Sequence, residues 1–194
     1  MQHSLWPPDA GPRLLGVARA AIAKRLGMVV DQPVGPTPPW LLERGAAFVT
    51  LTAQHRLRGC IGSLEPWRPL LDDVRANAVS AAFHDPRFPQ LEAGEFRDVS
   101  IEVSVLTPAE PFPVRDEADA VARLRPGVDG VILEVGHHRG TFLPQVWEQV
   151  SDPQQFLRHL KVKAGVSPDY WGSDVRLSRY QVTAFSEEDV HHPA

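Results

Sequence analysis

The sequence predicts an α+β fold with a mostly antiparallel sheet flanked by helices. Three patterns carry that prediction. Strand-like runs come in pairs joined by short turns, and stretches of helical spacing interrupt them. Strand and helix do not alternate in the steady way that would signal a parallel sheet.

Taken in order, residues 1–11 are polar and proline-bearing and read as a loose end. Residues 13–26 place Leu14, Val17, Ala21 and Ile22 on one helical face, with Pro12 suited to the first turn and Gly27 to the end. Pro33, Pro36, Pro38 and Pro39 then crowd the chain into an extended surface linker, whose far end Trp40 and Leu41 pin to the core. Residues 46–52 and 58–61 read as two strands, with Gln54-His55-Arg56 as the turn between them. From residue 69 to 84 the period becomes helical, with Leu70, Val74, Ala78 and Ala81 on one face and Asp72 and Asp73 in the first turn, where the helix dipole favours negative charge. Pro86 disfavours helical geometry at Asp85 and ends the helix.

Residues 99–106 alternate cleanly. Val99, Ile101, Val103 and Val105 point one way and Ser100, Glu102 and Ser104 the other, as in an antiparallel strand with one polar face. A short helix is expected over 116–124. Strands follow over 130–135 and 139–143, joined by Gly136-His137-His138. Asp152 suits a helix N-cap with Pro153 at the first helical position, Phe156, Leu157, Leu160 and Ala164 line that helix, and Gly165 ends it. A last strand is expected over 175–185. The domain prediction is one unit over 12–187, with flexible termini over 1–11 and 188–194.

The 194 residues suit one large domain or two small lobes, and at that size about 70% of the unfolded chain's surface is buried on folding. No apolar run approaches the ~20 residues of a membrane span, and no secretory leader pattern is present. A single cysteine excludes an internal disulfide and fits a reducing cytosol. A net charge of −4 argues against broad nucleic-acid binding. No phosphate loop, CxxC pair, HExxH or GxSxG occurs, which sets aside nucleotide hydrolases, zinc proteases and serine hydrolases. The adjacent His137 and His138 point to opposite sides of an extended segment with no third ligand nearby, so they read as turn residues rather than a metal site.

The candidate site is Leu57-Arg58-Gly59-Cys60-Ile61-Gly62-Ser63. Glycine on both sides of the lone Cys60 removes two Cβ atoms, so backbone or ligand can approach the sulfur. Arg58 can favour a thiolate or hold an anion. The alternative is a tight bend around a small buried thiol. His84-Asp85-Pro86-Arg87-Phe88-Pro89 forms a rigid polar loop in which Asp85 and Arg87 either pair or face one ligand. Glu102, central on its polar face, is solvated or serves as an acid, base or arginine partner.

Four motifs, Leu57-Arg58-Gly59-Cys60-Ile61-Gly62, His84-Asp85-Pro86-Arg87-Phe88, Ile101-Glu102-Val103-Ser104-Val105-Leu106 and the stretch from Gly140 to Pro144-Gln145-Val146, together resemble the AMMECR domain family over residues 14–185. The resemblance implies an α+β fold with a larger and a smaller lobe. It also implies a cytosolic component of the AmmeMemoRadiSam system, with a Memo-like protein and a radical SAM enzyme as partners. It implies no settled activity. Two functional readings follow. In one, Cys60 is a nucleophile or covalent carrier acting on a small molecule or peptide, with Glu102 or His84 moving protons and Arg58, Gly59, Gly62, Asp85, Arg87 and Gln145 forming the binding surface. In the other, the protein is a non-catalytic binding or scaffold component. A weaker third is RNA or nucleotide binding through Arg56, Arg58, Arg68 and Arg87. No cofactor is implied. Under the first reading Cys60, Asp85, Arg87 and Glu102 converge on one surface.

Overall fold

Helix α1 (Ala10–Arg25) buries Leu14, Val17, Ala18 and Ile22 and ends at Gly27, whose φ of +71° is the left-handed value that glycine adopts freely. The structure is a computed structural model that describes residues 6–29 and 35–188. The expectations for residues 1–5, Pro33 and the histidine-bearing tail fall outside the described residues. The chain forms two units, one of Met1–Leu106 with Thr183–Ala194 and one of Thr107–Val182.

In the first unit a short helix α2 (Pro39–Leu42) buries Leu41, and Trp40 meets Trp6 edge-on at 5.7 Å between ring centroids. Strands β1 (Arg44–Ala53) and β2 (Arg56–Gly62) pair antiparallel. Their turn is two residues rather than three. Gln54 and His55 take φ of 52° and 60°, the double left-handed geometry whose twist matches a hairpin, and Arg56 already belongs to β2. The ladder slips between Leu51 and Thr52, leaving Arg58 as an extra, bulged residue between Leu57 and Gly59. Strand β3 (Arg68–Pro69) leads into α3 (Leu70–Phe83), and β4 (Val99–Leu106) pairs with β1 over its full length. With β9 (Val182–Ser186) the sheet order is β2-β1-β4-β9, with β3 also on β1. Helices α1 and α3 cover one face, where Val49, Leu51, Val74, Ala78, Ile101 and Val103 are fully buried. Period-2 alternation therefore turns Thr50, Thr52, Ser100 and Glu102 to the opposite face.

The second unit carries β5 (Glu110–Pro111), α4 (Glu117–Arg123), β6 (Gly130–Val135), β7 (His138–Phe142), a 3-10 turn (Pro144–Glu148), α5 (Pro153–Lys163) and β8 (Val175–Tyr180). Its sheet order is β5-β8-β6-β7. Asp152 caps α5 by accepting the Gln155 N–H at 2.8 Å. Trp147 stacks flat on Phe156 at 3.7 Å, and its indole N–H donates to the Asp129 carbonyl at 2.7 Å.

The expected single last strand is two strands. At Gln181 the ladder stops, because its N–H and carbonyl bond to Thr107 instead, at 2.9 Å each, and the following strand joins the other sheet. Buried Leu177 and Tyr180 stand three residues apart, so the period-2 alternation fails within β8. The fold is α+β with antiparallel sheets.

Candidate functional site

The loop after α3 is tied to the edge strand of the larger unit's sheet. Strand β2 is an edge, so the outward N–H and carbonyl of Cys60 lack a ladder partner. The Asp85 carboxylate accepts the Cys60 N–H at 2.9 Å, and the Arg87 guanidinium donates to the Cys60 carbonyl at 3.2 Å. The same guanidinium grips Asp85 at 2.9 and 2.6 Å, and Asp85 also accepts the Arg87 N–H at 3.1 Å. Two side chains thus imitate a neighbouring strand and close the edge. Arg87 holds the Asp85 carboxyl far below the usual carboxylate range, against a burial effect that pushes upward. Asp85 in turn is the main cause that raises Arg87, and Cys60 adds a small electrostatic share.

Side chains on the same sheet face form a row across three strands. Cys60 stands opposite Thr50, and Thr50 opposite Glu102. The Thr50 hydroxyl donates to Cys60 Sγ at 3.3 Å, and the Ser104 hydroxyl donates to Glu102 at 3.2 Å. Cys60 is partly exposed. Thr50 and Glu102 line a cavity of about 180 Å³ with Thr52, Ser100, Ser186 and Glu188. Two interstrand spacings separate Cys60 from Glu102, about 9–10 Å.

The glycines beside Cys60 serve packing. A Cβ on Gly59 would stand 2.1 Å from the Ala81 carbonyl oxygen of α3, and one on Gly62 would stand 2.2 Å from the Phe48 ring. Arg58 is held by Glu95 at 2.9 and 3.2 Å and by the carbonyls of Pro89 and Gln90. The guanidinium that bonds the Cys60 main chain is that of Arg87. His84 is exposed past the end of α3, and no side-chain hydrogen bond of it is found among the described residues. Gln145 is exposed in the 3-10 turn of the second unit.

The chain matches the AMMECR1 family model over residues 15–185. It belongs to the AMMECR1 family. It is 40% identical over 191 residues to a protein of Methanothermobacter thermautotrophicus, covering 97% of this chain and all of that one. It is 41% identical over 187 residues to a protein of Thermococcus onnurineus, covering 92% and 90%. An uncharacterized Pyrococcus horikoshii protein of solved crystal structure superposes with a TM-score of 0.76 at 36% identity, over 92% of this chain and 91% of that one.

Two features of this AMMECR1 chain carry no clear mark in its sequence. Thr50 sits unremarked in an apolar strand, and only the strand register reveals it beside the thiol. Asp73 reads as a dipole partner, yet it is fully buried and accepts from the Ala47 N–H, Ser63, Arg68 and Asn77 at 2.7 to 3.0 Å. That network anchors the end of β2, just past Cys60, to α3. Of the arginines considered for nucleic acid, Arg58, Arg68 and Arg87 are ion-paired with Glu95, Asp73 and Asp85. No described helix is long and apolar enough to cross a membrane. Among the described residues no group of three or more His, Cys, Asp or Glu is arranged to hold a metal.

Proposed function

We propose that Cys60 is the working group of this chain, a nucleophile or covalent carrier for a small molecule or peptide laid on the polar face of the larger unit's sheet. The observation that supports it is the setting of the sulfur. A hydroxyl donates to it at 3.3 Å, and the Arg87 guanidinium donates to the carbonyl of the same residue at 3.2 Å. A hydrogen bond donated to sulfur suits the thiolate, the form in which cysteine reacts. Glu102 is too distant to exchange a proton with Sγ directly, so it acts on the far part of the bound molecule. Asp85 and Arg87 are positioning residues that fix the main chain carrying the thiol. The chain serves in the cytosol beside a Memo-like protein and a radical SAM enzyme.

Purified chain incubated with those two proteins and a small-molecule and peptide extract, then quenched in acid, tests this reading by intact mass. A covalent addition that a thiol reverses and that the Cys60→Ser chain lacks is expected. Only unmodified chain in every combination rejects it.

A second reading, a non-catalytic binding component, draws support from Arg58, Gly59, Gly62 and Asp85, each of which has a complete structural task. It predicts that a Cys60→Ala chain keeps every interaction of the parent.

A further inference from the structure

The neighbours of Cys60 on its face of the sheet differ with direction. Across the strands they are polar, Thr50 and then Glu102. Along β2 they are apolar. Gly62, two positions on, stands opposite Phe48, and three carbons of the Phe48 ring lie 2.2 to 2.6 Å from where a Cβ on Gly62 would be. The ring therefore fills the space that a side chain at residue 62 would take. Period-2 alternation puts Phe48 on the face of Thr50, away from the core under α1 and α3, and it is half-buried there. On the other side of Cys60, exposed Leu57 stands opposite Thr52 and so shares the same face. Two residues of strand, about 7 Å, separate Cys60 from the position that the ring covers.

We infer that Phe48 is a specificity-determining residue, the wall that holds a flat apolar group carried a few bonds from the atom that Cys60 attacks. A ligand ring set against a protein ring gains contact that a polar group of the same size does not. The bare glycine at 62 is what lets the Phe48 ring reach over β2 toward the thiol, since any side chain there would push it away. Thr50 and Glu102 take the polar part of the same molecule across the strands. The inference rests on the proposed role of Cys60 and adds the class of substrate, an electrophile with an aromatic substituent near its reacting carbon.

The test compares alkylation of the native full-length chain by iodoacetamide and by N-benzyl iodoacetamide. In both, sulfur forms a bond to the methylene carbon, iodide leaves and the thiol proton goes to the buffer, so only the benzyl group differs. The ratio of the two rates is divided by the same ratio for N-acetylcysteine, which removes the reagents' intrinsic difference. The parent should favour the benzyl reagent by about threefold to tenfold, Phe48→Tyr should keep that preference, and Phe48→Leu should bring it close to one. The parent unfolded in urea should also give one. Unfolding midpoints establish that the variants are native under the labelling conditions, and Phe48→Met replaces Phe48→Leu if the latter does not fold. A normalised ratio of one in the native parent, or a preference that survives in a folded Phe48→Leu or Phe48→Met chain, overturns the inference alone and leaves the thiol reading standing. Native chain that neither reagent labels overturns the thiol reading and this inference with it.

Discussion

The Asp85 carboxylate accepts the main-chain N–H of Cys60 at 2.9 Å, so with Arg87 it ties the loop after α3 to the strand that carries the thiol. Removing that acceptor leaves a half-buried amide unsatisfied and Arg87 without its partner. Asp85→Ala should cost about 2–4 kcal/mol in urea unfolding, and Arg87→Ala, whose side chain is half exposed, about 1 kcal/mol.

Acid should separate the parent from Asp85→Asn. The carboxyl of Asp85 titrates lower in the folded chain than its ordinary value, chiefly because of Arg87. Its contribution is therefore present above the unfolded carboxylate range and lost as pH falls toward the folded value. The stability gap between the two chains is expected to be full at neutral pH and to narrow below about pH 4, measured by denaturant unfolding across that range.

The two glycines beside Cys60 should respond differently to alanine. At Gly59 the obstacle is the backbone of α3, which cannot yield without moving the helix. At Gly62 it is the Phe48 ring, which can rotate or be trimmed. Gly59→Ala should lose several kcal/mol or fail to fold, whereas Gly62→Ala should lose about 1–3 kcal/mol and be partly rescued by Phe48→Leu. Equal losses with no rescue would contradict this packing.

Asp73→Asn should destabilise by about 3–5 kcal/mol, since it sets an amide against four donors in a fully buried position. Unfolding midpoints for Asp73→Asn and for Arg68→Met check it. The second should be milder, because Arg68 is one of four partners.

Most of the fold is readable in the sequence because each element announces its period. The alternation of residues 99–106 and the caps at Asp152 and Gly165 give β4 and α5 nearly to the residue. The last strand is not readable that way. Gln181 sits in an unbroken β-like run, and what ends the ladder is a hydrogen bond to Thr107, 74 positions earlier. The site divides in the same manner. Asp85 and Arg87 are marked by their spacing and by the prolines around them, and Cys60 by being alone. Thr50 is marked by nothing, since its role depends on which residue of a neighbouring strand it faces. Arg58 illustrates the converse, a charge beside the thiol in sequence that the bulge and Glu95 take up elsewhere.

The alkylation rate of Cys60 in the native chain tests the central claim most directly. A thiol on the polar face of the sheet should react with iodoacetamide at a rate that mild, non-denaturing urea leaves unchanged, and Thr50→Val should alter that rate without altering stability by more than about 1 kcal/mol. Labelling that proceeds only as fast as the whole chain unfolds, and that rises with urea in step with unfolding, would contradict the account.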